Sequence, residues 1–334
     1  MRSFINSLTT FSIVLFLLVL SSKVAFAEIV LGVVGKTKND SFYQQSFKGC
    51  QAYAVKYKNV RCIYDGGMDF QNIRAQVSVV KKLVKQGIDG LLIATTDSHF
   101  LVKEVLASLK EENIPVITFD SDLLPEHAEY RLAYVGTDNF AFGQALGKYV
   151  KNNFVLRAEQ SICIQSGHPT TPNLNERIAG IRFALSQQKA NKMKGKQGWR
   201  EHPSCPMFSL GKRDLALEQL ESVLNFRVPP IFIAVAGFAQ FNENYMAVIE
   251  PYKKQIDSGE LIVVSADTEP MQLQALAQGL SSINIGQKPF EMGKLGASLL
   301  IDYITKQQLP DKSHYYLGFH HCTPETATTC TTNY

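Results

Sequence analysis

Along most of the chain, short unbroken apolar runs alternate with stretches whose apolar residues recur three or four positions apart. Residues 29–34 form the first run. The segment after it carries Tyr43, Phe47, Cys50, Ala54 and Tyr57, one face of a helix. Residues 60–64 are again an unbroken run, followed by Ile73, Val77, Val80 and Val84 at helical spacing. Runs at 90–94 and 115–119 flank a helix expected over 100–111. Strands apolar on both faces and separated by helices need cover on both sides. The pattern therefore predicts right-handed βαβ units and a parallel sheet. The pattern then restarts: strands at 161–165, 207–210, 231–235 and 261–266, with helices at 175–188 and 214–225. Two α/β halves predict two lobes that part near residues 136–139. The long interval 189–206 holds Lys192, Lys194, Lys196 and Arg200, and reads as a solvated surface excursion.

The first 27 residues break the pattern. Arg2 precedes an apolar run at 11–20, and Ala25-Phe26-Ala27 follows, the layout of a secretory signal peptide cut before Glu28. The run is too short to span ~30 Å of hydrocarbon comfortably. An exported, periplasmic product of residues 28–334 is expected. Export gives the six cysteines a role, since an oxidising compartment permits pairing. Six cysteines allow 15 connectivities. The pairing expected is Cys50–Cys62, Cys163–Cys205 and Cys322–Cys330, each closing a short or medium loop, with buried free thiols as the alternative.

Composition narrows the chemistry. Of 334 residues, 45% are hydrophobic and 19% charged, a globular balance. The formal net charge is +4, and loss of Arg2 and Lys23 leaves 32 cations against 30 carboxylates, which selects no nucleic acid. In open parallel sheets, ligands sit beyond the C-terminal strand ends. Here those ends read Lys38 to Tyr43, Thr95 to Ser98, Asp120-Ser121-Asp122, Gly167-His168, Ala236-Gly237-Phe238 and Asp267-Thr268-Glu269. Carboxylates, amides, hydroxyls and rings suit a neutral polyhydroxy ligand, because carboxylates accept hydroxyl hydrogens and ring faces cover C–H faces. Asn39, Asp40 and Ser41 also suit helix capping. Phe42 lies off the helical stripe and is expected to face the cleft. His168 reads as a loop histidine.

Other chemistries lack their signatures. Gly35-Lys36-Thr37 resembles the end of a phosphate-binding loop, but Val30 stands where the first glycine is required. No dinucleotide glycine pattern follows a strand, and no G-x-S-x-G is present. His320-His321-Cys322 has no second ligand cluster near it in sequence, so neither metal nor cofactor is expected.

The ordered segments Asn39-Asp40-Ser41-Phe42-Tyr43, Thr96-Asp97-Ser98, 114–120, 135–139, Asn175-Glu176-Arg177 with Gly180, Asp267, and 285–289 with Gly293 carry a resemblance. The chain resembles the type I periplasmic sugar-binding proteins, the ribose/galactose-binding group of ABC-importer receptors. The resemblance runs from Glu28 to about Pro310. It implies two Rossmann-like parallel-sheet lobes joined by a three-segment hinge: 28–136 plus 288–318, and 137–287 plus 319–334. Hinges are expected near residues 120–139, Asp267 and Gln287. It places ligand contacts at Asn39, Asp40, Phe42, Tyr43 and Asp120, and at Arg177, Asp267 and Gln287, with Arg177 donating a fork of hydrogen bonds to sugar oxygens.

Ser121 stands where pentose binders of the group carry an Arg, and Ala236-Gly237 where they carry a polar Asn or Asp. The group's calcium loop is not recognisable. The function expected is a monomeric, non-enzymatic solute receptor that hands a sugar-like ligand to a membrane permease. The alternative is a sensory module that feeds a histidine kinase or chemoreceptor. A cytoplasmic repressor with this core is opposed by the export signal. An exported enzyme is opposed by the lack of a paired nucleophile and base.

Overall fold

The computed structural model describes residues 28–68, 70–156 and 158–332. The expected leader, 1–27, lies outside them. The described strands are, in chain order, β1 (Ile29–Gly35), β2 (Val60–Gly66), β3 (Gly90–Ile93), β4 (Val116–Phe119), β5 (Ala133–Gly136) and β6 (Gln160–Ser166). They continue with β7 (Trp199–Glu201), β8 (Met207–Phe208), β9 (Ile231–Ala234), β10 (Val263–Ala266), β11 (Ile283–Gly286), β12 (His314–Tyr316) and β13 (His320–Cys322).

Two sheets result. The first has the order β12-β5-β4-β3-β1-β2 and is parallel throughout. The second runs β13-β11-β10-β9-β6-β7, with β8 also on β6. Only β13 is antiparallel among its described strands. Strands β3, β4, β5, β9, β10 and β11 are buried along their whole length, as parallel strands covered by helices on both faces must be.

The same packing device recurs in both lobes. Helix Ser41–Ala54 lies against Pro289–Lys306, and Asn139–Asn153 against Pro172–Ser186, so closely that glycine is required at the crossing. A Cβ on Gly293 would stand 1.7 Å from the Ser46 carbonyl oxygen, and one on Gly180 2.2 Å from that of Phe140. The first contact also fixes where the late helix belongs: it packs on the first sheet although it follows β11 of the second.

The chain thus passes between the sheets at 136–139, 286–289 and 316–320. The crossing expected near Asp267 is absent, because β10 and β11 on either side of it lie in one sheet. Disulfides Cys50–Cys62, Cys163–Cys205 and Cys322–Cys330 are formed as expected. The first ties the helix Ser41–Ala54 to β2, the second ties β6 to the end of the 189–206 interval, and the third closes the loop after β13.

Two local expectations are corrected. The helix over 100–111 begins at Ser98 and is interrupted by a π-helical turn over Val102–Leu106. The interval 189–206 is not a solvated excursion. Met193, Trp199 and Cys205 are core residues, β7 pairs with β6, and buried Glu201 accepts from Arg182 Nε and Nη2 at 2.7 and 2.9 Å. Lys194, Lys196 and Arg200 are indeed exposed. Its few apolar anchors are widely spaced, without a helical or strand period.

Candidate ligand-binding site

The strand order reverses between β1 and β3 in the first sheet and between β6 and β9 in the second, and the C-terminal ends of both sheets face one cleft. Asp120 follows β4 and Asp267 follows β10, strands in the same place in their two sheets. Both have a left-handed backbone, φ 57° and 74°. Among side-chain-bearing residues, Asp and Asn tolerate that conformation best. The turn swings each carboxylate off its strand and into the cleft.

Around Asp120 the lobes meet. Its carboxylate accepts from the Tyr43 hydroxyl at 3.1 Å and from Asn173 Nδ2 at 3.1 Å. Lys36 Nζ is 3.0 Å away and Arg177 Nη2 3.6 Å. Lys36, at the end of β1, also donates to Asn173 Oδ1 across the cleft at 2.9 Å. Burial pushes the Lys36 ammonium below its ordinary range, and the carboxylate of Asp120 opposes that shift. Further bridges rim the cleft: Thr171 Oγ1 donates to the Thr96 carbonyl at 2.9 Å, the His168 amide to Gln71 Oε1 at 2.9 Å, and the Gln71 amide to the Leu210 carbonyl at 2.8 Å. His168 thus serves through its backbone.

Asp267 accepts from uncharged donors, with the Arg177 guanidinium acting on it as well. Gln287 Nε2 donates to it at 2.9 Å and the Gly237 amide at 3.3 Å. Burial raises its carboxyl above the usual range. Gln287 sits at the second crossing and joins the hinge strands, its Oε1 accepting from Thr137 Oγ1 at 3.0 Å and Arg177 Nη2 at 2.7 Å. The fork expected of Arg177 is largely committed to the protein. Nε donates to Asn139 Oδ1 at 2.8 Å and Nη1 to the Val235 carbonyl at 2.9 Å, and the guanidinium stacks on Phe142. Arg177 lines the cleft and, beside Lys36, brings positive charge to Asp120.

Asp40 caps a helix and also lines the cleft. Its Oδ1 caps the helix Ser41–Ala54 by accepting from the Phe42 amide at 3.0 Å, and the carboxylate faces the cleft, where burial pushes its pKa up to about 6. Phe42 and Tyr43 are both buried, their rings edge to face at 5.4 Å.

Asp40, Phe42, Tyr43, Asp120, Arg177, Asp267 and Gln287 line one cavity with about 30 Å³ of free space. Asn39 does not line it. It stands further out, its carbonyl accepting from Arg213 Nη2 at 3.2 Å. Sequence reasoning missed Lys36, Gln71, Asn173 and Phe241, which also line the cavity, and read Phe238 at a strand end without counting it among the ligand contacts. Asn173 was out of reach because its helix begins at Pro172, not at 175. The signal for Lys36 was its place at the end of β1, inside the discarded phosphate-loop motif Gly35-Lys36-Thr37. His320, Cys322 and Cys330 cluster, but both sulfurs are spent in the disulfide.

A family model described as periplasmic binding protein domain matches residues 31–308. The chain belongs to this family. Within it, the two parallel-sheet lobes are those of the type I fold. The periplasmic binding protein is 24% identical over 211 residues to a D-ribose/D-allose-binding protein of Pseudomonas aeruginosa. That match covers 58% of this chain but 65% of the relative, just under two thirds of its length. The ribose import binding protein of Bacillus subtilis is 23% identical over 277 residues, 83% of this chain and 82% of that one. Among solved structures, an ABC transporter solute-binding protein from Burkholderia graminis in complex with D-arabinose superposes with a TM-score of 0.74. It is 21% identical, with 91% of this chain and 98% of that chain covered.

Proposed function

We propose that this periplasmic binding protein captures a neutral sugar between its lobes, unaltered, and presents the closed form to the permease of an ABC importer. The observation that supports this most is the convergence of Asp40, Tyr43, Asp120, Asp267 and Gln287 from both lobes on one cavity, with rings beside them. Carboxylates and amides accept and donate to hydroxyls, and ring faces cover the apolar face of a sugar. The lobes, 28–136 plus 288–318 and 137–287 plus 319–334, part about the three crossings to admit the ligand. The 30 Å³ inside is the volume of a water or so, far below an ordinary ligand site of about 300–1,000 Å³. The bridges Lys36–Asn173 and Asp120–Asn173 must therefore yield as the sugar enters, its hydroxyls replacing them. A ligand that contacts both lobes favours closure by its differential affinity for the closed form. The expected leader and the disulfides agree with a periplasmic location, and the name of the Bacillus subtilis relative with import.

The test is a melting-temperature screen of residues 28–334 against pentoses, hexoses and polyols. A true ligand at 100 times its dissociation constant adds about 2.7 kcal/mol to the stability of the folded form. A melting temperature unmoved by every one of these and by their disaccharides rejects the proposal.

A further inference from the structure

We propose that the cleft carries a second saccharide subsite, so that the preferred ligand is a glycoside of at least two rings. This rests on the sugar-binding reading above. Beside the inner cavity lies a wider chamber of about 640 Å³, within the range that holds small ligands. The two share Asp40, Phe238 and Phe241, so an occupant of one adjoins an occupant of the other.

Both lobes build the chamber. Phe70 comes from the first lobe, and Lys212, Arg213, Asp214, Glu218 and Phe241 from the second. The 210–213 loop is held against the first lobe by the Gln71 amide donating to the Leu210 carbonyl at 2.8 Å. Lys212 Nζ stands 4.8 Å from the centre of the Phe70 ring, and the Arg213 guanidinium 5.6 Å from that of Phe241. The cations thereby keep their donors beside the aromatic faces. Asp40, Asp214 and Glu218 give three carboxylates against two cations, so the chamber does not select an anion such as a phosphate. Aromatic faces with donors and acceptors interleaved suit a hydroxylated ring with an apolar face, a second sugar unit. Its contacts to Phe70 on one lobe and Phe241 on the other would also favour the closed form.

Titration calorimetry of residues 28–334 tests this with D-glucose, D-galactose and D-xylose against cellobiose, maltose, lactose, melibiose and xylobiose. At least one disaccharide binds ten times more tightly or better than either component sugar. Phe70→Ala, a half-buried ring outside the inner cavity, removes at least tenfold of that affinity while the component sugar binds within twofold of wild type. The subsite is overturned if free sugars bind and every disaccharide binds more weakly, or if Phe70→Ala weakens both alike. If no probe in either set binds, the sugar-binding reading itself fails and this inference falls with it.

Discussion

Asp120 and Asp267 occupy the same place in the two lobes: each follows the fourth strand counted from the β2 or β7 edge, each in a left-handed turn. Their surroundings differ. Asp120 is held by Lys36 and Arg177, by a tyrosine hydroxyl and by an amide from the opposite lobe. Asp267 is held by the Gln287 amide and the Gly237 backbone, both on its own side of the cleft or at the hinge. One fold position thus does two jobs. In the first lobe it is the charged junction between lobes. In the second it is an anchor at the hinge that accepts from an amide and a backbone N–H, its carboxyl raised by burial against the pull of Arg177.

The largest expected effect comes from breaking the junction. Asp120→Asn tolerates the left-handed turn but leaves Lys36 and Arg177 without their carboxylate. Affinity for the sugar identified by the melting screen falls at least 100-fold in calorimetry, about 2.7 kcal/mol. Asp120→Ala also loses the tolerance of Asp and Asn for this backbone, which adds about 1–2 kcal/mol of instability read by denaturant unfolding. Wild-type affinity in Asp120→Asn removes Asp120 from the site. Asp267→Asn, which takes the carboxylate from the Gln287 amide, the Gly237 N–H and the field of Arg177, costs about tenfold in the same titration, about 1.4 kcal/mol. An equal loss in both would erase the distinction drawn between the lobes.

The helix crossings sharpen the comparison from the packing side. Gly293→Ala and Gly180→Ala each place a Cβ inside a backbone carbonyl's contact distance, and each destabilises by about 1–3 kcal/mol or more, seen as a lower unfolding midpoint. The first lobe, whose contact is closer at 1.7 Å against 2.2 Å, loses more.

The smallest effect is pH dependence. Burial raises the carboxyl of Asp40 to about 6 in the free protein, with the Phe42 amide and Arg213 opposing the rise and Asp267 and Asp120 adding to it. An acid raised on folding binds protons more tightly when folded, so its contribution falls as pH rises from about 4 to about 6 and is flat above that. Ligand hydroxyls donate to the ionised carboxylate and pull its pKa down. Affinity therefore rises a few-fold between pH 5 and 7, and Asp40→Asn flattens that slope in calorimetry. A slope unchanged in Asp40→Asn assigns it to another group.

Much of this was legible in the sequence, and the misses have physical causes. The seven-residue β1 announces itself because a run apolar on both faces has little other use. Strands β5 (Ala-Tyr-Val-Gly) and β11 (Ile-Asn-Ile-Gly) end in glycine and carry few apolar residues in a row, unlike the equally short β3 and β9, and β7 is hidden among lysines. Asp120 and Asp267 stood out at strand ends, but their left-handed turns depend on the sheets around them. Lys36 was passed over because a lysine after a strand usually reaches solvent, whereas here the opposite lobe buries it against Asp120. Arg177 was read as a ligand contact, yet its partners Asn139, Val235 and Gln287 lie far apart in sequence, so only the fold reveals that its fork is occupied.

The central claim is that two lobes shut over the ligand at this junction. Small-angle scattering of residues 28–334, with and without a saturating amount of the sugar found by the melting screen, tests it most directly. The account predicts a smaller radius of gyration with sugar, saturating at the calorimetric stoichiometry of one per chain. Binding confirmed by heat with a scattering curve that does not change would contradict it.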